Sequence, residues 1–169
     1  MKKRVYFDTS AVIKEFVPEV ASDLIDKVTT SAREGNLQII TSVWAINEAI
    51  AVIDRLTRRP DNPLSKSEQQ DIMATFVERI MESNENAAYR FAPIEHTLVA
   101  NSRILIEGLH ISPDDALHLY TAYVYDCEYY LIHDKKIVKR LKSESIEGMR
   151  IIDLDDEADR NYLTSQFGW

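Results

Sequence analysis

Short apolar runs alternate with stretches of helical periodicity along the whole chain. RVYFD (4–8), LQIIT (37–41), EYYLIH (128–133) and MRIIDL (149–154) are rich in β-branched and aromatic residues and read as buried strands. YRFAPI (89–94) reads as a short extended piece or a loop. TSAVIKEF predicts a helix with Thr9 or Ser10 at its N-cap. Val20, Leu24 and Val28 predict another over 20–33, ended by Gly35-Asn36. Ser42 is placed to cap a helix running to about Arg58, and RRPDNPLS (58–65) is turn chemistry. Ser65 and Glu68 form a capping box for a helix reaching Glu82, in which Ile72, Phe76 and Ile80 recur every four residues. His96 to Gly108 reads as a helix that Gly108 terminates. Ser112-Pro113-Asp114-Asp115 opens the next, with proline at the first helical position. Lys135 to Leu141 predicts one more short helix.

Strands alternating with helices predict an α/β fold whose central, mostly parallel sheet is covered on both faces. With 169 residues, no internal repeat and no linker, the chain is expected to form a single domain over 1–169. A 45% hydrophobic content is enough for a core, and 28% charged residues with few Gly or Pro argue against disorder. Cys127 is the only cysteine, which rules out an intramolecular disulfide and cysteine-based zinc patterns and suits a reducing cytoplasm. The basic start MKKRV is followed by a stretch broken by Asp8, Lys14 and Glu15, so no signal peptide is expected, and no apolar run is long enough for a membrane span. The net charge of −8 opposes non-specific duplex binding. It leaves room for an acidic active site, and it suits a basic protein partner.

The chemistry-bearing residues are four acids far apart in sequence. Asp8 ends the first strand, Glu48 lies within an apolar helix stretch, Asp115 opens a buried helix, and Asp134 follows the strand EYYLIH. In a parallel sheet, sites form at the carboxyl ends of strands, where Asp8 and Asp134 fall. Each acid has an ordinary reading as well: Asp8 as a helix cap, Glu48 as a solvated helix acid, Asp114 and Asp115 as complements to a helix dipole, Asp134 as a loop acid beside lysines. One cap acid suffices after Ser112, so Asp115 is the expected ligand and Asp114 a helper or cap. Carboxylates gathered within about 5 Å would repel by roughly 3 kcal/mol per pair. Raised pKa values would relieve that, as would a hard divalent cation, which brings phosphodiester chemistry with it.

RVYFDTSAVIKEFVPE, ITSVWAINEAI, SPDDALHLYTA and YYLIHDKKIVK, in this order over about residues 4–154, resemble the four acidic motifs of the PIN-domain ribonucleases, most closely the VapC type of toxin. Ile132 departs from the Thr or Ser common two residues before the fourth acid, and the segment 58–90 is longer than in most VapC toxins. The resemblance implies a three-layer α/β/α fold and endoribonuclease activity dependent on Mg²⁺ or Mn²⁺. It implies Asp8, Glu48, Asp115 and Asp134 as metal ligands, with Ser10 as polar helper, and products with 5′-phosphate and 3′-hydroxyl ends. An antitoxin protein and a homodimer are the partners it implies, besides the RNA substrate.

Two other classes fit less well. A catalytically silent PIN fold that binds RNA or protein would be expected to lose ligands, and the four acids are present. A receiver-type phosphoacceptor needs an acid pair after the first strand, and Asp8 is followed by Thr9-Ser10. The histidines show no HxxxH or HExxH spacing and read as structural, although His118 falls one turn after Asp115. Tyr120, Tyr123, Tyr125, Tyr129 and Tyr130 read as core and subunit contacts, and Arg58-Arg59 as a solvated helix end.

Overall fold

The structure is a computed structural model that describes residues 2–56, 58, 65–86, 88–144 and 146–169, with the side chains of 80, 81 and 83–86 outside the description. Most of the expected turn at 58–65, and the side chain of Ile80, therefore lie outside the described residues. Among the described residues five strands are present: β1 (Lys3–Phe7), β2 (Leu37–Ser42), β3 (Tyr89–Ala92), β4 (Tyr129–Ile132) and β5 (Arg150–Asp153). Eight helices accompany them: α1 (Thr9–Ile13), α2 (Ser22–Arg33), α3 (Trp44–Leu56), α4 (Lys66–Asn86), α5 (His96–Leu109), α6 (Pro113–Val124), α7 (Lys135–Ser143) and α8 (Glu157–Phe167). YRFAPI thus resolves as strand β3. Among the described residues, no helix is long and apolar enough to cross a membrane.

All the strand pairs are parallel, in the order β3-β2-β1-β4-β5. Alternation sends Val5, Phe7, Ile39, Leu131 and Ile152 to one face, where α1, α2, α3, α4 and α8 cover them. Tyr6, Ile40, Tyr130, Ile132 and Ile151 go to the other, under α6 and α7, with Leu105, Ile106 and Leu109 of α5 packed against them. The result is a three-layer α/β/α fold, buried on both sheet faces as a parallel sheet requires.

The topology decides where a site can form. From β1 the chain builds outward through β2 to β3, then returns to the other side of β1 with β4 and continues to β5. The direction of winding reverses between β1 and β4. At such a switch point the connections leave in opposite directions and open a crevice at the carboxyl strand ends. Asp8 directly follows β1, and Asp134 follows β4 by one residue.

Several element ends differ from the sequence reading. Asp8, rather than Thr9 or Ser10, caps α1, because its carboxylate accepts the Ser10 N–H. That helix ends at Ile13, short of Phe16. α2 begins at Ser22 rather than Val20: Ala21 sits in the left-handed region (φ 70°), which breaks the helical path and leaves Val20 exposed. Gly108 is inside α5; the left-handed residue that ends it is His110 (φ 52°). The capping box of α4 is present, with Ser65 N–H donating to Glu68 at 2.8 Å and Glu68 N–H to the Ser65 hydroxyl at 3.2 Å. Ser42 accepts the Trp44 N–H at 3.1 Å while ending β2. Helix α8 had no counterpart in the sequence reading. Asp156 caps it, and its buried Asp159 accepts from Lys142 at 2.5 Å and from the Asp153 N–H at 3.0 Å.

Candidate acidic site at the strand ends

Four segments distant in sequence bring Asp8, Glu48, Asp115 and Asp134 to the wall of one cavity of about 840 Å³. Ser10, His118 and His133 line it as well. Asp114 is exposed in the first turn of α6 and does not line it.

Asp8 is 8% exposed and fixed from both sides. Its Oδ2 accepts from the Ser10 N–H (3.1 Å) and the Ser10 hydroxyl (2.7 Å), and its Oδ1 accepts from the Tyr130 hydroxyl (3.2 Å). The Ser10 hydroxyl in turn accepts the His133 N–H at 2.8 Å. Ser10 thereby ties the end of β1 to the loop after β4, across the switch point. Its hydroxyl proton is committed to Asp8.

Glu48 is reached from three directions. Its Oε2 accepts from the Thr9 hydroxyl and from His118 Nε2 at 2.7 Å, and the Trp44 side chain also bonds it. Burial alone would raise its carboxyl. The bonds from His118, Thr9 and Trp44 outweigh burial and hold it below the usual range. An ionised carboxylate only accepts, so His118 Nε2 carries a proton. His118 Nδ1 meets the Tyr6 hydroxyl at 2.8 Å, and that oxygen accepts the buried Ser42 N–H at 3.1 Å. Tyr6 stacks on Tyr130 at 5.2 Å between ring centroids, so the tyrosines that brace Glu48 and Asp8 brace each other. Burial would lower His118, yet its bond to Glu48 and the charges of Asp8, Glu48 and Asp115 raise it.

Asp115 shares a reciprocal bond with the cap of α6: the Ser112 hydroxyl donates to its Oδ2 (2.6 Å) and accepts its N–H (3.2 Å). Burial raises the Asp115 carboxyl, and the charges of Asp8 and Asp134 raise it further, against the Ser112 bond and His118. Asp134 is exposed and caps α7, its Oδ1 accepting from the N–H groups of Lys136 (2.8 Å) and Ile137 (3.1 Å).

Among the described residues, no three His, Cys, Asp or Glu side chains stand as a group that could hold a metal ion in this arrangement. The donor chemistry still suits a hard divalent cation. All four acids that line the cavity are carboxylates, and Asp115, raised first by burial, also faces the charges of Asp8 and Asp134.

The chain matches no protein-family model and no curated protein.

The sequence reading named the four acids and Ser10 but gave their supports no part. Tyr6, Thr9, Trp44, His118 and Tyr130 hold the carboxylates in place. The one available signal was the one-turn spacing from Asp115 to His118; the pairing of Tyr6 with Tyr130 comes only with the sheet register.

Proposed function

We propose that the chain is a metal-dependent endoribonuclease that hydrolyses RNA phosphodiester bonds in the cytoplasm, as the toxin of a toxin–antitoxin pair. The observation that carries this reading is that four carboxylates from four separate segments line one cavity at the switch point of a parallel sheet. The motif resemblance supplies the substrate class, and with it a homodimer and an antitoxin as partners.

In this reading Asp8, Glu48, Asp115 and Asp134 hold Mg²⁺ or Mn²⁺. Bound there, the cation supplies charge for the anionic transition state and acidity for water. The protein's own work is placement. Tyr130 and Ser10 fix Asp8; Thr9, Trp44 and His118 fix Glu48; Ser112 fixes Asp115. Ser10, which donates to Asp8 and accepts the His133 N–H, acts in this reading as a support.

The absence of a ready-made group of three ligands among the described residues favours a second reading, a silent PIN-like module that binds RNA or protein. Incubating a labelled RNA pool with the purified protein in Mg²⁺, Mn²⁺ or EDTA, with Asp8→Asn alongside, separates the two. Metal-dependent cleavage that the variant lacks supports the nuclease. RNA left intact under every metal condition overturns it in favour of the module.

A further inference from the structure

The outer half of the same cavity differs in character from its acidic end. Helix α3 contributes Glu48, then Ala51 and Val52, then Arg55, and the chain before α2 contributes Ile13, Glu19 and Val20. Val20 is 58% exposed. The carboxylate on this wall, Glu19, is already neutralised: Lys14, 2% exposed, meets it at 3.1 Å. Arg55 is exposed and forms no ion pair with the described residues. It is the sole Lys or Arg among the described residues that line the cavity. Its neighbour Arg58 is paired with Asp54 four residues back along the chain.

The groove is therefore polarised, with carboxylates at one end, an aliphatic wall in the middle and one uncommitted guanidinium at the other end. Arg55 follows Glu48 by seven residues, so the two share a helix face about 10 Å apart along the axis. Helical side chains lean toward the N-terminus, which directs the guanidinium along the groove toward Glu48.

We propose that Arg55 is the phosphate-binding residue of this site. It holds a backbone phosphate of single-stranded RNA next to the one presented to the carboxylates, with the intervening nucleotide against Ile13, Val20, Ala51 and Val52. This rests on the nuclease reading for what happens at the acidic end, but not for the binding itself. A guanidinium suits phosphate because its donors match two oxygens at once. A single strand suits a groove with one cation, because the net charge of −8 opposes the dense phosphate array of a duplex.

Fluorescence anisotropy of a labelled single-stranded oligoribonucleotide across a salt series in EDTA tests this without any need for cleavage. Arg55→Gln should weaken binding roughly tenfold and reduce the slope of log K against log[salt] by about 0.7, the value of one phosphate contact on a single strand. Arg55→Lys should restore the slope but not the full affinity, and Arg58→Gln should change neither. Equal slopes for wild type and Arg55→Gln, undiminished affinity in that variant, or no binding by wild type, overturns the proposal. If the slope falls but no metal supports cleavage, the role of Arg55 stands and the hydrolytic reading falls.

Discussion

Replacing His118 by alanine removes one buried and one partly buried hydrogen bond at once, and each can be sized. The bond between Nδ1 and the Tyr6 hydroxyl, at 2.8 Å, joins neutral groups in the core and is worth about 1 kcal/mol. The bond from Nε2 to the Glu48 carboxylate, at 2.7 Å, is charge-assisted and worth about 2 kcal/mol. His118 is 2% exposed, so water does not replace the ring without rearrangement. The sum is about 3 kcal/mol, against a total stability of about 5–15 kcal/mol for a domain of ordinary stability. In a chain of this size that lowers Tm by roughly 6–12 °C. Urea unfolding of wild type, His118→Ala, Tyr6→Phe and the double variant measures it. Tyr6→Phe alone strips the Ser42 N–H of its acceptor and should cost about 2 kcal/mol. The two changes share one bond, so the double variant should be less damaged than the sum by about 1 kcal/mol. A loss below about 1 kcal/mol for His118→Ala, or purely additive effects, would refute the bracing of Glu48 from the core through Tyr6 and His118.

Ser112→Ala removes the cap of α6 and should cost about 1 kcal/mol in urea unfolding; metal affinity should fall with it, because the same hydroxyl orients Asp115. The raised carboxyl of Asp115 means that the folded protein holds that proton more tightly than the unfolded chain does. Its favourable contribution is present below the ordinary carboxylate pKa and is lost as pH rises through the raised value. In EDTA at neutral pH, Asp115→Asn should therefore be more stable than wild type, with the gain disappearing in acid; thermal unfolding across pH checks the sign. Phe76, 1% exposed and edge-on to Phe16 at 5.0 Å, anchors α4, so Phe76→Ala should cost about 3–5 kcal/mol in urea unfolding.

The layer architecture was legible because strand and helix periods differ, and apolar runs such as RVYF and YYLI are long enough to show which is which. Chain ends of helices were less legible, since they depend on single backbone angles. Nothing in VPEVAS announces that Ala21 adopts φ 70°, and Gly108 is a better terminator by type than His110, which ends the helix. Helix α8 escaped notice because EADRNYLTSQF has few apolar positions: Leu163 is buried in the core with Tyr162 and Phe167 against it, while Asp159 is bonded to Lys142 and to the β5 backbone. At the site, the four acids were readable from their places after strands and at a helix start. Their supports were not. Tyr6 and Tyr130 look like ordinary strand aromatics until the parallel register sets them side by side. Thr9 and His118, 109 residues apart in the chain, meet at Glu48 only through the fold.

That Asp8, Glu48, Asp115 and Asp134 act together in holding a divalent cation is the central claim, and titration of the protein with Mg²⁺ or Mn²⁺ by calorimetry tests it most directly. Saturable binding by the wild type, lost in both Asp8→Asn and Asp115→Asn while their unfolding stays cooperative, is the expected result. No binding by the wild type, or equal binding by the variants, would contradict it.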